Sequence, residues 1–437
     1  MADNSDSNWE EKELGSMLKI KHGYAFKGEF FSDDGEFIVL TPGNFFDEGG
    51  FRHKENKEKY YLGPIPPEFV LKKGDLLIVM TEQAEGLLGS AAFIPKNNRY
   101  LHNQRLGLIT QCNPNHSDRR FLYYLFNSKV VRQKIRASAS GTKVRHTSPS
   151  RIYEIKQKIP SIISQHKIAA ILSTYDDLIE KNTRRIKILE EMAQAIYREW
   201  FVHFHFPGHE GVRIVESELG LIPEGWEVCQ LGDQLAALET GKRPKGGAIG
   251  FEGGVPSIGA ENVNGIGKHD FSSEKYVPSN FFSQMRQGII QNGDVAIYKD
   301  GAYIGRSSYF RDSFPYSKCC VNEHVFLLRS NNVKLTQNIL YLWLQEHETL
   351  EAIRSTNSNA AQPGINREGL NGIELILPPI KLAKQFDNIV EPILAKIINH
   401  AKHNQNLRRT RDLLLPRLIS GELDVSELEI MIPEAMT

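Results

Sequence analysis
The side chains of this chain best suited to chemistry are hydrogen-bonding and cationic groups gathered in short loops. In the first half these loops are "GYAFK" (Tyr24, Phe26, Lys27), "TEQ" (Glu82, Gln83), "HNQR" (Asn103, Gln104, Arg105) and "TKVRHTS" (Lys143, Arg145, His146). In the second half they are "GKRPK" (Lys242, Arg243, Lys245), "GAEN" (Asn262), "KDGAYIGR" (Lys299, Tyr303, Arg306), "NEH" (Asn322, His324) and "QPGIN" (Gln362, Asn366). Amides, guanidinium groups, imidazoles and carboxylates form paired hydrogen bonds with the edges of bases, while Lys and Arg hold phosphates. Any one of these residues is equally well an ordinary surface-loop residue. As a set, following equivalent strands in both halves, they point to one reading face in each half.

Catalytic groups are missing by the same inspection. Adenine methyl transfer needs an Asn/Asp-Pro-Pro-aromatic tetrad, and the Pro-Pro pairs, Pro66-Pro67 and Pro378-Pro379, stand in other contexts. No stretch fits the P-loop spacing of Gly, four residues, then Gly-Lys-Ser/Thr. No Pro-Asp dipeptide opens a nuclease motif, and "GGAIGFEGG" lacks G-x-G-x-x-G and reads as a loop. His203, His205 and His209 alternate with Phe204 and Phe206, which suits a half-buried segment better than a metal site. Cys112, Cys229, Cys319 and Cys320 form no C-x-x-C pair, so neither zinc nor a disulfide framework is expected. The polar, acidic start "MADNSDSNWEEKE" is no signal peptide. No apolar run reaches the roughly 18 residues that span a bilayer, so a cytoplasmic protein without membrane contact is expected.

The elements that must position these loops come in two copies. Trp9, Leu14 and Gly15 match Trp226, Leu231 and Gly232 at a shift of 217. Gly74-Asp75 matches Gly293-Asp294 at 219, Pro160 matches Pro378 at 218, and Asn182 matches Asn404 at 222. Four matches in order at a nearly constant shift mean two homologous halves. Each half begins with short strand-like runs broken by Gly, Pro, Asn and Asp, and each ends in a helix. Between Gln165 and Val202 no Pro or Gly occurs, and Ser164 is placed to cap the start. Ile168, Ile171, Tyr175, Leu178, Leu189, Met192 and Ile196 recur at three-four spacing, the a and d positions of a heptad. At about 1.5 Å per residue such a rod is roughly 57 Å long. Val390, Ile393, Ile397, Leu407, Leu414 and Leu418 repeat the pattern, with Pro392 expected to kink or restart the helix and Pro416 to disturb its end. Asn182 and Asn404 fall at a positions, where a polar residue fixes register.

Charge adds to the nucleic-acid reading. Lys plus Arg equals Asp plus Glu at 53 each. Yet Lys129 to Lys158 holds nine bases and one acid, and Lys381 to Ser420 holds eight bases and three acids. The acidic ends offset these segments, as a nucleic-acid binder with a neutral total requires.

With "GYAFKG" (Gly23 to Gly28), "HTSPSRI" (His146 to Ile152), "SQHKIAAILSTYDDLIEKN", "LGLIPEGWEV" and "LLLPRLISGELDV", the chain resembles a type I restriction-modification specificity (S) subunit. The resemblance implies an α+β fold: two mixed α/β target-recognition domains separated by two long antiparallel, coiled-coil-like spacer helices in a pseudo-two-fold repeat. The boundaries expected are 1–160 and 207–378 for the recognition domains, 161–206 and 379–420 for the spacer helices, and 421–437 for an acidic tail. It implies binding of double-stranded DNA at a bipartite, asymmetric target. It also implies two methyltransferase subunits that use S-adenosylmethionine and two motor-nuclease subunits. ATP and Mg are expected on those partners, and no cofactor on this chain. The competing readings are the recognition part of a fused restriction-methylation enzyme, and a coiled-coil scaffold with no DNA role.

Overall fold
The computed structural model describes residues 9–432, apart from 55–56, 84, 113–115, 249–250, 252, 273 and 358–363. The chain divides into two compact units. One comprises the residues up to Asp177 and those from Arg408 onward; the other is Leu178–Leu407.

In the first unit a four-stranded antiparallel sheet has the order Leu18–His22, Leu106–Cys112, Leu76–Val79, Ala91–Phe93. The second unit repeats it with Leu235–Thr240, Val325–Ser330, Asp294–Tyr298 and Ser307–Phe310. A separate antiparallel pair recurs as well: Glu10–Glu13 with Lys156–Ile159, and Glu227–Gln230 with Glu374–Leu377. The inner strand Leu76–Val79 is buried on both faces. Leu76 and Ile78 enter the core with Phe121 and Leu125, while Leu77 and Val79 join Ile38 and Tyr100. Cover on both sides explains why "LLIV" is continuously apolar instead of alternating.

The repeated Gly-Asp has a backbone cause. Gly74 and Gly293 take φ of +86° and +91°, a region that a β-carbon disfavours. The following aspartate accepts a hydrogen bond from a backbone N–H three residues back: Lys72 N to Asp75 Oδ2 and Gln291 N to Asp294 Oδ2, both 2.8 Å. The turn thereby delivers the chain into the inner strand with its donors satisfied.

The first long helix runs Ile162–Tyr197 and continues into a π-helical turn, Arg198–Val202. It begins earlier than Gln165. Ser161, not Ser164, receives the first-turn N–H, with Ser164 N donating to Ser161 Oγ at 3.3 Å. The second long helix is unbroken over Ile380–Ser420, so neither proline interrupts it. Pro392 and Pro416 lie on the exposed side of the helix, as do Asn388 and Asp412, whose carbonyls lose their helical N–H partners to the prolines, so the missing bonds fall at solvent-accessible positions. In the first unit Ile168 and Leu172, near the start of the first helix, share a core with Leu418 and Ile419 at the end of the second. In the second unit Ile186, Ala193 and Tyr197 share a core with Phe386, Val390, Leu394 and Ile397. The pairing is antiparallel in each unit.

The seam is rotated from the expected one at alternate positions. Leu178 and Met192 are 41% and 47% exposed, while Ile179, Ile186 and Ala193 are buried. The stripe Tyr175, Ile179, Asn182, Ile186, Leu189, Ala193 also alternates threes and fours and shares every second member with the expected stripe. Spacing alone therefore leaves its phase open by one residue. Asn182 lies on both stripes. Its Nδ2 donates to Asn404 Oδ1 at 3.0 Å, and Asn404 Nδ2 donates to Thr183 Oγ1 at 3.2 Å. Both amides are buried and paired, which avoids the cost of an unsatisfied polar group in an apolar seam.

Beyond the first helix, His205 Nδ1 lies 2.9 Å from Glu199 and His209 Nδ1 lies 2.9 Å from the Phe206 carbonyl. Among the described residues no helix is long and apolar enough to cross a membrane.

Candidate nucleic-acid interface
Three backbone hydrogen bonds tie the candidate loops of the first unit together. Tyr24 N donates to His102 O at 2.8 Å, Met80 N to Arg105 O at 2.9 Å, and Thr147 N to Met80 O at 3.0 Å. The second unit has the last two at equivalent positions, Lys299 N to His324 O and Ile365 N to Lys299 O at 2.9 and 3.0 Å, and ties the same first pair of loops one residue displaced, by Gly241 N to Asn322 O at 3.3 Å. Four loops, distant in sequence, thus meet at one place in each unit. Gly23 and Gly241 permit it, because a β-carbon on either would collide with the carbonyl of Asn103 or Val321.

In the first unit this cradle gathers Tyr24, Gln83, Gln104, Arg105, Arg145 and His146. Arg145 pairs with Glu82 across a short antiparallel ladder, and His146 Nδ1 lies 3.0 Å from Thr81 Oγ1. Gln83, Gln104, Arg105, His146 and the nearby Lys143 are exposed, and Arg145 is half-buried. Tyr24 and Phe26 stack edge to face at 5.1 Å, and Phe26 meets Tyr61 at 4.9 Å, so the aromatic part of "GYAFK" is packed while Lys27 projects outward. Beneath the loops His102 is buried, and burial pushes its imidazole down to about 4, leaving it a neutral scaffold group bonded to the Leu106 carbonyl at 2.9 Å.

In the second unit Lys242 and Lys245 are exposed, and Tyr303 is 41% exposed. Arg243 pairs with Glu323 at 2.7 Å. His324 lies between Asp300 at 3.2 Å and Glu323 at 3.5 Å, and Lys299 is 3.5 Å from Asp300. Arg306 stacks on Tyr303, 4.2 Å from the ring centroid. Glu323, Asp300 and Asn264, which contacts Arg306, were not singled out by loop composition. The two carboxylates stand beside residues that were, in "NEH" and "KDG".

Several residues of base-reading type are instead used inside the fold. Glu82 is 3% exposed and accepts the Leu88 N–H at 2.8 Å. Asn262 is buried and accepts from Asp270 N. Asn103 and Asn322 make one and the same turn, each accepting at 3.0 Å from the N–H two residues on, of Arg105 and His324. Asn366 caps the helix Arg367–Asn371 as Ser148 caps Pro149–Tyr153. Gln362 lies outside the described residues.

Two copies of one loop cradle, each followed by a long helix, define an internally duplicated α/β module. Residues 6–191 and 223–409 both match the family model for the type I restriction modification DNA specificity domain. The chain belongs to this family of type I specificity subunits. Among its relatives is the type I restriction enzyme MjaIX specificity subunit of Methanocaldococcus jannaschii, 28% identical over 311 residues and covering 70% of each chain. The HindI specificity subunit of Haemophilus influenzae is 23% identical over 493 residues, covering 95% of this chain and all of that one. The fold is similar to the crystal structure of a type I restriction-modification S subunit from M. genitalium, with a TM-score of 0.54 and 17% identity over 96% of this chain and 98% of that one.

Proposed function
We propose that this chain reads the DNA target of a type I restriction-modification complex. It binds a bipartite, asymmetric duplex site, one half-site per recognition domain, and directs adenine methylation and restriction carried out by its partners. Those partners are two methyltransferase subunits and two motor-nuclease subunits, which hold S-adenosylmethionine, ATP and Mg. The observation that carries the reading is the duplicated cradle. The same four loops, tied by two equivalent backbone bonds and a third displaced by one residue, present different polar and cationic side chains in each unit, which is what two unlike half-sites require. The test is methylome sequencing of the host with and without the gene. One split motif with a constant gap is expected to vanish with the gene; methylation that persists unchanged sinks the proposal. The purified chain alone is expected to transfer no radiolabelled methyl group to DNA.

Arg145 offers a local check. Arg145→Ala in the assembled complex is expected to weaken binding by about 1–3 kcal/mol, with relaxed choice at one position if the guanidinium reads a base. A uniform loss across sequences means that it holds a phosphate. Fluorescence anisotropy on a duplex panel separates the two, and unchanged binding removes Arg145 from the interface.

A further inference from the structure
We propose that Tyr303 and Arg306 form a guanine-reading element of the second recognition domain, at a backbone position where the first domain has none. The inference rests on the DNA-reading function proposed above.

Both units carry the same irregular hairpin after the inner strand. In the first, Gly89 N donates to Val79 O, Val79 N to Ser90 O and Ser90 N to Leu87 O, at 2.8, 2.8 and 2.9 Å. In the second, Gly305 N donates to Tyr298 O, Tyr298 N to Arg306 O and Arg306 N to Tyr303 O, at 3.0, 2.8 and 3.1 Å. Leu87 and Ser90 therefore stand where Tyr303 and Arg306 stand. Ser90 is fully buried and donates to the Phe46 carbonyl at 2.7 Å. Arg306 reaches the corresponding neighbour, donating from Nη1 to Asn264 Oδ1 at 2.7 Å. Asn264 is itself fixed, its Nδ2 donating to Glu261 O and its backbone N to Ser308 Oγ. One backbone thus carries an internal serine in one unit and a partly exposed arginine in the other.

The guanidinium is held on its face by the Tyr303 ring and at one corner by a neutral amide. Among the described residues its Nε and Nη2 make no hydrogen bond and it forms no ion pair. The neighbouring cations differ. Arg243 is spent on Glu323, Arg354 on Glu351, and Lys299 lies by Asp300. Arg306 keeps its charge and a planar two-donor edge, already ordered before DNA arrives. Such an edge fits the O6 and N7 acceptors of guanine in the major groove, and a pre-ordered fork loses less rotamer freedom on binding. A phosphate would also accept from it, but would carry no sequence information.

The test uses the assembled methyltransferase complex. Methylome sequencing supplies the target, and binding is then measured on duplexes in which each base pair is replaced in turn. Arg306→Lys is expected to lose about tenfold to a hundredfold of discrimination at one G·C pair, leaving the other half-site untouched. Tyr303→Phe keeps the stack and the discrimination, whereas Tyr303→Leu loses part of it. Thermal unfolding checks that each variant is folded. Equal weakening on every duplex makes Arg306 a phosphate contact and overturns the proposal. Unchanged discrimination, or a target whose affected half-site has no G·C pair, overturns it as well. A wild-type complex with no sequence preference instead sinks the DNA-reading function on which it rests.

Discussion

Four residues added to both long helices, after Lys181 in the first and after Gln405 in the second, are expected to leave both half-sites of the target unchanged and to lengthen the gap between them by one or two base pairs. Each helix contributes to both units: the first up to Asp177 and then from Leu178, the second up to Leu407 and then from Arg408. Four residues add roughly 6 Å of helix, close to two steps of duplex at about 3.4 Å each. Both helices must be lengthened together. Extending one alone would slip the pairing by a turn and take Ile168 and Leu172 away from Leu418 and Ile419. The chosen points keep the Asn182–Asn404 bond, so register within the second unit is retained. Methylome sequencing of the variant reads the outcome directly. An altered half-site with an unaltered gap would mean that the helices do not set the spacing.

The parts of this architecture that were legible in the sequence are those where one residue type answers one backbone demand. Gly74-Asp75 and Gly293-Asp294 announced the repeat because a left-handed turn wants glycine and the aspartate closes it. The long helices were legible through apolar period, but their finer detail was not. Pro392 looks like a break until it is known that it and Asn388, one turn back, both lie on the exposed side of the helix. The candidate readers were the least legible. Asparagine serves a base edge and a backbone turn equally well, and what assigns Asn103 and Asn322 to turns is an N–H two residues on in the folded chain. Loop composition cannot tell Glu82, buried against Leu88 N, from Gln83 beside it in solvent. Long-range charge networks leave no local trace at all. Arg329, Asp294 and Glu239 sit on three different strands, at sequence separations of 35 for the first two and 90 for the first and third.

That network sets up the largest stability effect expected here. Arg329 grips Asp294 with two bonds, Nε to Oδ1 at 2.6 Å and Nη2 to Oδ2 at 2.8 Å, and donates from Nη1 to Glu239 Oε1 at 2.6 Å. The Asp294 side chain is 1% exposed and that of Arg329 19%. Arg329→Met preserves most of the side-chain volume but strands a buried carboxylate, a loss of about 3–5 kcal/mol at neutral pH. The loss has a sign in pH. Burial raises the Asp294 carboxyl above its usual range, against the opposing pull of Arg329 and the Gln291 N–H. Removing Arg329 removes that pull, so the carboxyl rises further. A carboxyl raised in the folded state holds its proton more tightly than in the unfolded chain. Its contribution to stability is therefore present at low pH and lost as pH climbs through the folded value. The gap between wild type and Arg329→Met should accordingly be widest near neutrality and shrink as pH falls toward the ordinary carboxylate range. Adding Asp294→Asn to Arg329→Met should recover part of the loss at neutral pH, since a neutral amide needs no cation. Urea unfolding followed by tryptophan fluorescence, at several pH values, measures all three. A gap that stays constant with pH, or a double variant no better than the single one, would show that Asp294 does not carry an uncompensated charge in the absence of Arg329.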